Sequence, residues 1–457
     1  MNATESGRHP RAVALSVLSQ VRRRDAFAHP LLDAALAAAS LPERDAALVT
    51  RLVYGTLSAQ GTLDEAIDRF ADRPGSIEPR VRDGLRAAAY ELLFMRSASH
   101  AVVNEWVGEI KRFRPRAAGL ANAVLRRLAS DAPDFPWGDP STDLDALGRS
   151  TGHPRWMVDL FIADHGADKA RDVLRADDEP APLYLWHVPF MGPLEAAVDE
   201  LERDGAEPER CYHEGCILAA RPSAAVRGQA VATGRVLVAD AAAQVAALAT
   251  GGHPGAIVVD AAAGRGTKTI QLQALSVAAG GAADLRALDL HAFKAGVLER
   301  RMRDLRVPGV TVAAADATAP SGPGVPQERS AAAVLLDAPC TGLGTLRRHV
   351  EKRWRLAPDD MSRLAVLQRR LLAGVAPIVA EGGRLVYSTC SIARGENDVV
   401  ADDFLASDAG RGFEPLQLRD VLPEAWAPCV GADGRFRTLQ RESGPDGHFV
   451  AAFRRLS

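Results

Sequence analysis

The chain lacks a marked excess of either positive or negative charge. Its 457 residues carry a net charge of only −3, which excludes a global positive field drawing in nucleic acid and leaves such binding to local basic patches. Cysteine is scarce too: five residues, an odd number, make no disulfide framework and point to a reducing, cytoplasmic setting. No apolar run reaches the roughly 18 residues of a membrane span. The N-terminal stretch holds Arg8, Arg11, Arg22, Arg23 and Arg24 without the apolar core of roughly 7–15 residues that a secretory leader needs, so neither membrane nor leader is expected. Internal repeats and long low-complexity tracts are also missing. What is present, 47% hydrophobic and 25% charged residues, is the profile of a soluble globular protein. The length is too great for one ordinary core and predicts two or three domains.

Periodicity divides the chain into a helical part and an α/β part. Ala14, Val17, Leu18 and Val21 recur at helical spacing, as do Leu48, Leu52 and Val53, then Leu85, Ala89, Leu92 and Leu93. An all-α domain is expected over 1–135. The turn-rich 131–141, with Pro133, Pro136 and Pro140, reads as a linker, and 136–235 as linker plus a small mixed α/β RNA-binding subdomain. From 236 to 457, apolar runs at 236–238, 256–259, 285–290, 310–314, 331–336 and 384–387 alternate with helix-length segments. That alternation predicts βαβ units and a mainly parallel, Rossmann-like sheet, with 436–439 and 449–453 as antiparallel edge strands.

Two cysteines each follow one of the buried-strand runs: Val334-Leu335-Leu336-Asp337-Ala338-Pro339-Cys340 and Leu385-Val386-Tyr387-Ser388-Thr389-Cys390-Ser391. Both thiols and Asp337 are thereby expected at the C-terminal edge of the sheet, where open α/β folds bind ligands. Cys211, Cys216 and Cys429 lack such context, and with only His213 nearby no zinc site is expected.

Val258-Val259-Asp260-Ala261-Ala262-Ala263-Gly264-Arg265-Gly266-Thr267-Lys268-Thr269 is a strand, a small-residue turn and a helix start. A P-loop would need glycine at Thr267, and a dinucleotide loop a glycine at Thr269, so both are excluded. Two readings remain: an ordinary tight turn, or a loop whose backbone N–H groups meet a ligand. Asp289 and Asp316 follow the next two strands; each suits a helix cap or loop, or contacts to ribose and adenine respectively. With Asp260, three successive strand-end acids suit an adenosine cofactor without phosphates, and S-adenosylmethionine has none. The thiols supply the complementary chemistry. Carbon 5 of a pyrimidine attacks a methyl donor only after a thiolate adds at carbon 6. Cys340, Cys390, Asp337 and Lys268 are the residue types that reaction needs; Lys268 could also lower a thiol's pKa.

The motifs Asp337-Ala338-Pro339-Cys340-Thr341-Gly342-Leu343-Gly344 and Tyr387-Ser388-Thr389-Cys390-Ser391, followed by Glu396-Asn397, resemble the paired signatures of RNA cytosine-C5 methyltransferases, the Nol1/Nop2/Sun group. Asp446-Gly447-His448-Phe449 resembles the C-terminal signature of that family. The resemblance implies a class I methyltransferase domain, S-adenosylmethionine as cofactor, Cys390 as nucleophile, Cys340 in release of the adduct, and Asp337 in contact with the base and the cofactor. Residues 260–269 are similar to that family's cofactor loop, which places the cofactor at Ala262, Ala263, Gly264, Arg265, Gly266, Thr267 and Lys268 as well as Asp337, with Asp289 and Asp316 joining them from their strand-end positions. The family commonly has cysteine at Ala262, proline at Arg265, glycine at Thr267 and phenylalanine at His448; the last difference is expected to bear little on mechanism.

Leu52-Val53-Tyr54-Gly55-Thr56-Leu57, Asn104-Glu105 and Asn122-Ala123-Val124-Leu125-Arg126-Arg127 resemble a NusB-type RNA-binding domain. Its fusion to this catalytic module is characteristic of small-subunit ribosomal RNA methyltransferases, so 16S rRNA or an assembling small subunit is the expected partner of a metal-free monomer. Two basic clusters are RNA-binding candidates: Lys111, Arg112, Arg114, Arg116, Arg126 and Arg127; and Arg347, Arg348, Lys352, Arg353 and Arg355 with Trp354 to stack on a base. Competing readings are a DNA cytosine-C5 methyltransferase, which leaves the Thr-Cys motif and helical domain without a role, and a non-catalytic rRNA-binding or antitermination factor.

Overall fold

The computed structural model describes residues 9–456; Arg8 lies outside them. Within these residues the chain forms two compact units. One runs to Glu179 and takes in Leu346–Ala357; the other comprises Pro180–Thr345 and the residues from Pro358 onward.

The first unit is helical. Pro10 opens the helix Pro10–Arg24, where the missing N–H costs nothing, and Val13, Ala14, Val17, Leu18 and Val21 line its buried face. Helices Glu43–Ser58, Pro79–Leu93 and Ser99–Phe113 supply the other walls of this core, around the fully buried Trp106. Trp106 Nε1 donates to Glu91, whose carboxylate also accepts two 2.9 Å bonds from Arg11. The boundary differs from the one expected. Phe135 and Trp137 of the proline-rich stretch pack against this core, and the helices Leu144–Thr151, Arg155–His165 and Ala167–Ala176 belong to the same unit. The prolines end helices there without freeing the chain. The stretch 346–357, read as part of the catalytic domain, is likewise built into this unit.

The second unit holds two sheets. The smaller is antiparallel, β2-β3-β1-β4, from β1 (Leu183–His187), β2 (Pro208–Arg210), β3 (Cys216–Ala219) and β4 (Val236–Val238). Residues 236–238 therefore pair with β1 and are not the first strand of the large sheet. The larger sheet runs β10-β12-β9-β8-β5-β6-β7, with β11 on β12. Its parallel strands are β5 (Ile257–Asp260), β6 (Asp284–Asp289), β7 (Val310–Ala314), β8 (Ala331–Asp337) and β9 (Val379–Thr389). β10 (Phe413–Pro415), β11 (Phe436–Thr438) and β12 (His448–Arg455) are antiparallel additions. β12, expected at the edge, lies inside the sheet because β10 and β11 cover its free side. Val334, Leu335 and Leu336 of β8 and Leu385, Val386 and Tyr387 of β9 are fully buried, which explains their uninterrupted apolar runs.

Candidate active site

β8 and β9 are neighbours in register, with Asp337 opposite Ser388. The segments leaving their C-terminal ends therefore start side by side, and Cys340 Sγ comes within 3.4 Å of Cys390 Sγ. Neither thiol is in a disulfide. Glu396 joins the two loops. It is fully buried and accepts from Thr341 N at 2.9 Å, from the Thr341 hydroxyl, from Ser391 Oγ at 2.7 Å and from Gln368 Nε2 at 3.1 Å. Asn397 donates to Ser391 O at 2.8 Å and accepts from Thr389 Oγ1. The Glu396-Asn397 pair, noted in the sequence without a role, thus acts as the brace between the two cysteine motifs.

Backbone contact completes the seat. Gly344 N donates to Cys390 O at 3.0 Å, and Gly447 N donates to Gly344 O at 2.9 Å. A Cβ on Gly344 would meet Gly447 O at 2.1 Å, so only glycine permits this approach. The Asp446-Gly447 signature is there for its backbone.

Lys268, in the first turn of the helix Thr267–Ala278, reaches across from β5 to Asp337 Oδ2 at 2.6 Å. Burial works against charge on both groups. The Lys268 charge, seconded by His448, and the hydrogen bonds from Lys268 and from Ser388 Oγ at 3.0 Å nonetheless hold Asp337 below the ordinary carboxylate range. Lys268 is raised above the usual lysine value: burial lowers it, and Asp337, then Cys390 and Asp260, outweigh that. The site thus pairs an ionised carboxylate with an ammonium that also acts on Cys390. Ser388 Oγ lies 2.9 Å from Nε2 of His448, a buried imidazole expected from the sequence to bear little on mechanism.

Asp337, Asp260 and Asp289 end β8, β5 and β6, and Asp316 lies two residues beyond β7, the next strand of the sheet. They are not equivalent. Asp260 is fully buried and bound by Thr269 Oγ1 at 2.6 Å; burial lifts its pKa to about 6. Asp289 accepts from His291 N at 2.9 Å through Oδ1, leaving Oδ2 without a partner among the described residues. Asp316 accepts from Thr318 N and Oγ1, both through Oδ1 and both at 2.8 Å, which keeps it below the ordinary carboxylate range.

The loop Ala262, Ala263, Gly264, Arg265, Gly266 fits an adenosine cofactor. Gly264 has φ +53°, and a side chain there would find nothing nearer than Ala262 O at 3.9 Å, so the glycine borders open space. Gly266 has φ +79° and a Cβ would strike Leu298 at 2.2 Å. Arg301 Nη1 binds Arg265 O at 2.5 Å and reaches Thr267 Oγ1 at 3.4 Å. This clamp holds the loop at two of the positions where the sequence departs from the family.

The basic clusters behave differently. Lys111, Arg112, Arg114, Arg116, Arg126 and Arg127 are all exposed, with partial pairing of Arg112 to Glu109 and of Arg114 to Glu78. The second cluster is not an open RNA face. Arg347 is buried. Arg353 is fully buried, donating to Thr151 O at 3.0 Å, Asp177 O at 2.5 Å and Asp178 Oδ1 at 2.9 Å. Trp354 is half-buried; Nε1 donates to Ser58 O at 2.6 Å and its ring lies against Gly61. Arg355 donates to Ala26 O at 2.9 Å, and Arg348 and Lys352 are partly buried. A cation-rich segment read as an RNA-binding candidate is here an anchor, because its guanidinium and indole N–H groups satisfy carbonyls at or near helix ends of its own unit. Among the described residues no three His, Cys, Asp or Glu side chains could hold a metal, and no helix is long and apolar enough to cross a membrane.

A model of the 16S rRNA methyltransferase RsmB/F family matches residues 247–454, and one of the NusB family matches residues 8–130. The chain is 34% identical to ribosomal RNA small subunit methyltransferase B of Thermus thermophilus, over 98% of each chain. It is 30% identical to the probable ribosomal RNA small subunit methyltransferase B of Bacillus subtilis, over 97% of this chain and 98% of the relative. The crystal structure of PH0851 shares the fold at TM-score 0.79 and 24% identity, covering 97% of this chain and 98% of that one. The chain therefore belongs to the RsmB/F family of 16S rRNA methyltransferases, S-adenosylmethionine-dependent enzymes, and carries a NusB-type helical domain ahead of its Rossmann-like catalytic module.

Proposed function

We propose that this chain methylates carbon 5 of a cytosine in 16S rRNA through a covalent cysteine adduct. The observation that carries the reading is the pair of thiols 3.4 Å apart beside the Lys268–Asp337 ion pair. S-adenosylmethionine, when bound, supplies the electrophilic methyl group. Lys268, through its charge, favours the thiolate of Cys390. That thiolate adds to carbon 6 of the cytosine, forming the sulfur–carbon bond and building electron density at carbon 5, which takes the methyl group. Asp337, held ionised, accepts a hydrogen bond from the base edge and faces the methionine end of the cofactor. Transfer of the carbon 5 proton to a base, for which solvent water suffices, then expels Cys390 as thiolate, with Cys340 beside it assisting release. Gly264, Arg265, Gly266 and Thr267 approach the cofactor through backbone, Ala262 and Ala263 leave it room, and Asp289 and Asp316 bind its ribose and adenine. The exposed cluster from Lys111 to Arg127 contacts phosphates, and the target cytosine leaves its stack to reach the thiols.

A 16S rRNA transcript carrying 5-fluorocytosine tests this, because fluorine blocks proton loss and traps the adduct. With S-adenosylmethionine the wild-type protein is expected to give a denaturant-stable crosslink, Cys390→Ser none, and Cys340→Ser an adduct even on ordinary cytosine. A crosslink that survives Cys390→Ser and vanishes in Cys340→Ser would reverse the assigned roles.

A further inference from the structure

Behind the Asp337–Lys268 pair lies a line of buried polar groups that the steps above leave unused. Ser388 is fully buried near the end of β9, and His448, 2% exposed, opens β12 beside it. The His448 backbone is pinned, its N–H donating at 3.0 Å to Thr438 Oγ1, which in turn donates to Asp446 O at 2.8 Å.

The direction of each hydrogen bond follows from proton supply. Asp337 is ionised against Lys268 and has nothing to donate, so the bond to Oδ1 must use the Ser388 hydroxyl proton. The contact between Ser388 Oγ and His448 Nε2, at 2.9 Å, then needs a proton from the imidazole. Burial, seconded by the Lys268 charge, pushes His448 down to about 3, so near neutrality the ring carries one N–H, and that hydrogen sits on Nε2. The charged and titratable groups facing this line are Lys268 from the helix after β5, Asp260 from β5, Cys390 from the loop after β9 and Asp446 ahead of β12.

Resting on the cytosine-C5 reading above, we propose that His448 and Ser388 are positioning residues for methyl transfer: the His448 Nε2–H orients the Ser388 hydroxyl so that its proton is committed to Asp337 Oδ1. Oδ2 is taken by Lys268, so the carboxylate is gripped at both oxygens and its plane cannot rotate. Its remaining lone pairs then stay directed at the base. A phenylalanine at 448 would fill the space without supplying that donor, and Ser388 could swing away from Asp337. No hydrogen bond links His448 directly to the carboxylate, so near neutrality, where the buried ring carries no charge to act on Asp337, it acts through Ser388.

The test uses the full chain, tritiated S-adenosylmethionine and 16S rRNA, as transcript and as small subunits, with kcat and KM followed from acid to alkaline pH. Ser388→Ala removes a hydrogen bond to a charged group and is expected to lower kcat about tenfold. The KM for RNA should stay nearly unchanged and the acidic limb of the profile should move to higher pH. His448→Phe should shift both in the same direction by a smaller factor, and His448→Gln, which keeps an N–H donor, should recover most of the loss. In the Ser388→Ala background, His448→Phe should cost nothing further. An undiminished His448→Phe effect in that background, or an unmoved kcat and acidic limb in the single variant, would overturn the inference. Absence of cytosine methylation by the wild-type protein would overturn the underlying reading as well, and the two failures are told apart by that control.

Discussion

Replacing Arg353 by methionine separates a structural arginine from an RNA contact. The side chain is fully buried and donates to two backbone carbonyls, Thr151 O and Asp177 O, and to the Asp178 carboxylate. Asp178 is 37% exposed and can turn to water; the carbonyls cannot be re-paired so readily. A buried acceptor left unsatisfied costs about 1–3 kcal/mol, and methionine restores part of the packing, so a net loss of about 3 kcal/mol is expected. With a urea slope of about 1–3 kcal/mol per molar, the unfolding midpoint of the helical unit should fall by about 1–3 M. Trp354 fluorescence is a local probe, since its indole donates to Ser58 O beside the substituted residue. The neighbouring His153, now lowered first by burial and then by the Arg353 charge, should titrate higher in the variant. RNA affinity of the folded variant, and its salt dependence, should match the wild type. An unchanged midpoint with weaker RNA binding and a salt slope reduced by about one would refute the reasoning, because that is the signature of a phosphate contact.

Three further outcomes are expected. Glu396→Gln turns an amide N–H toward groups that now donate to the carboxylate, and should cost about 2 kcal/mol and at least tenfold in kcat; full activity and an unchanged melting temperature would remove Glu396 as the brace of the thiol loops. Gly344→Ala must displace the Gly447 backbone; the cysteine crosslink to 5-fluorocytosine should drop about tenfold or more while affinity for S-adenosylmethionine persists, and normal crosslinking would show that the loops are not held by this contact. Acid should destabilise the protein from about pH 6.5 downward. Burial depresses His448 to about 3 and His213 to about 4, so below their ordinary value the unfolded chain takes up two protons that the folded one refuses. Asp260, raised by burial to about 6, opposes this with one proton. The melting temperature at pH 5 should therefore lie below that at pH 7.5, and a rise would contradict the burial of the two imidazoles.

Much of the site was legible in the sequence because its residues sit at the ends of two strands buried on both faces. Uninterrupted apolar runs located β8 and β9, and chain continuity then required Asp337, Cys340 and Cys390 to emerge at the same edge. The brace was visible only as the letters Glu396-Asn397, since nothing in their spacing says that a buried carboxylate collects donors from Thr341, Ser391 and Gln368. The basic segment around Arg353 misled for the same reason in reverse: composition records charge but not burial. His448 looked inconsequential because a residue's meaning at a strand start depends on which hydroxyl the neighbouring strand places beside it.

The sequence by itself determined the classes of structure: a helical unit from apolar residues at helical spacing, a parallel sheet from strand–helix alternation, and a small-residue loop preceding a helix. These are local properties, encoded in neighbouring residues and backbone preference. Tertiary structure alone decided which strands adjoin, that 236–238 pairs with β1, that 346–357 belongs to the helical unit, and that Lys268 meets Asp337 across 69 positions of chain. Contacts between residues far apart in the chain depend on which buried surfaces fit together, and no local pattern of hydropathy or charge records that fit.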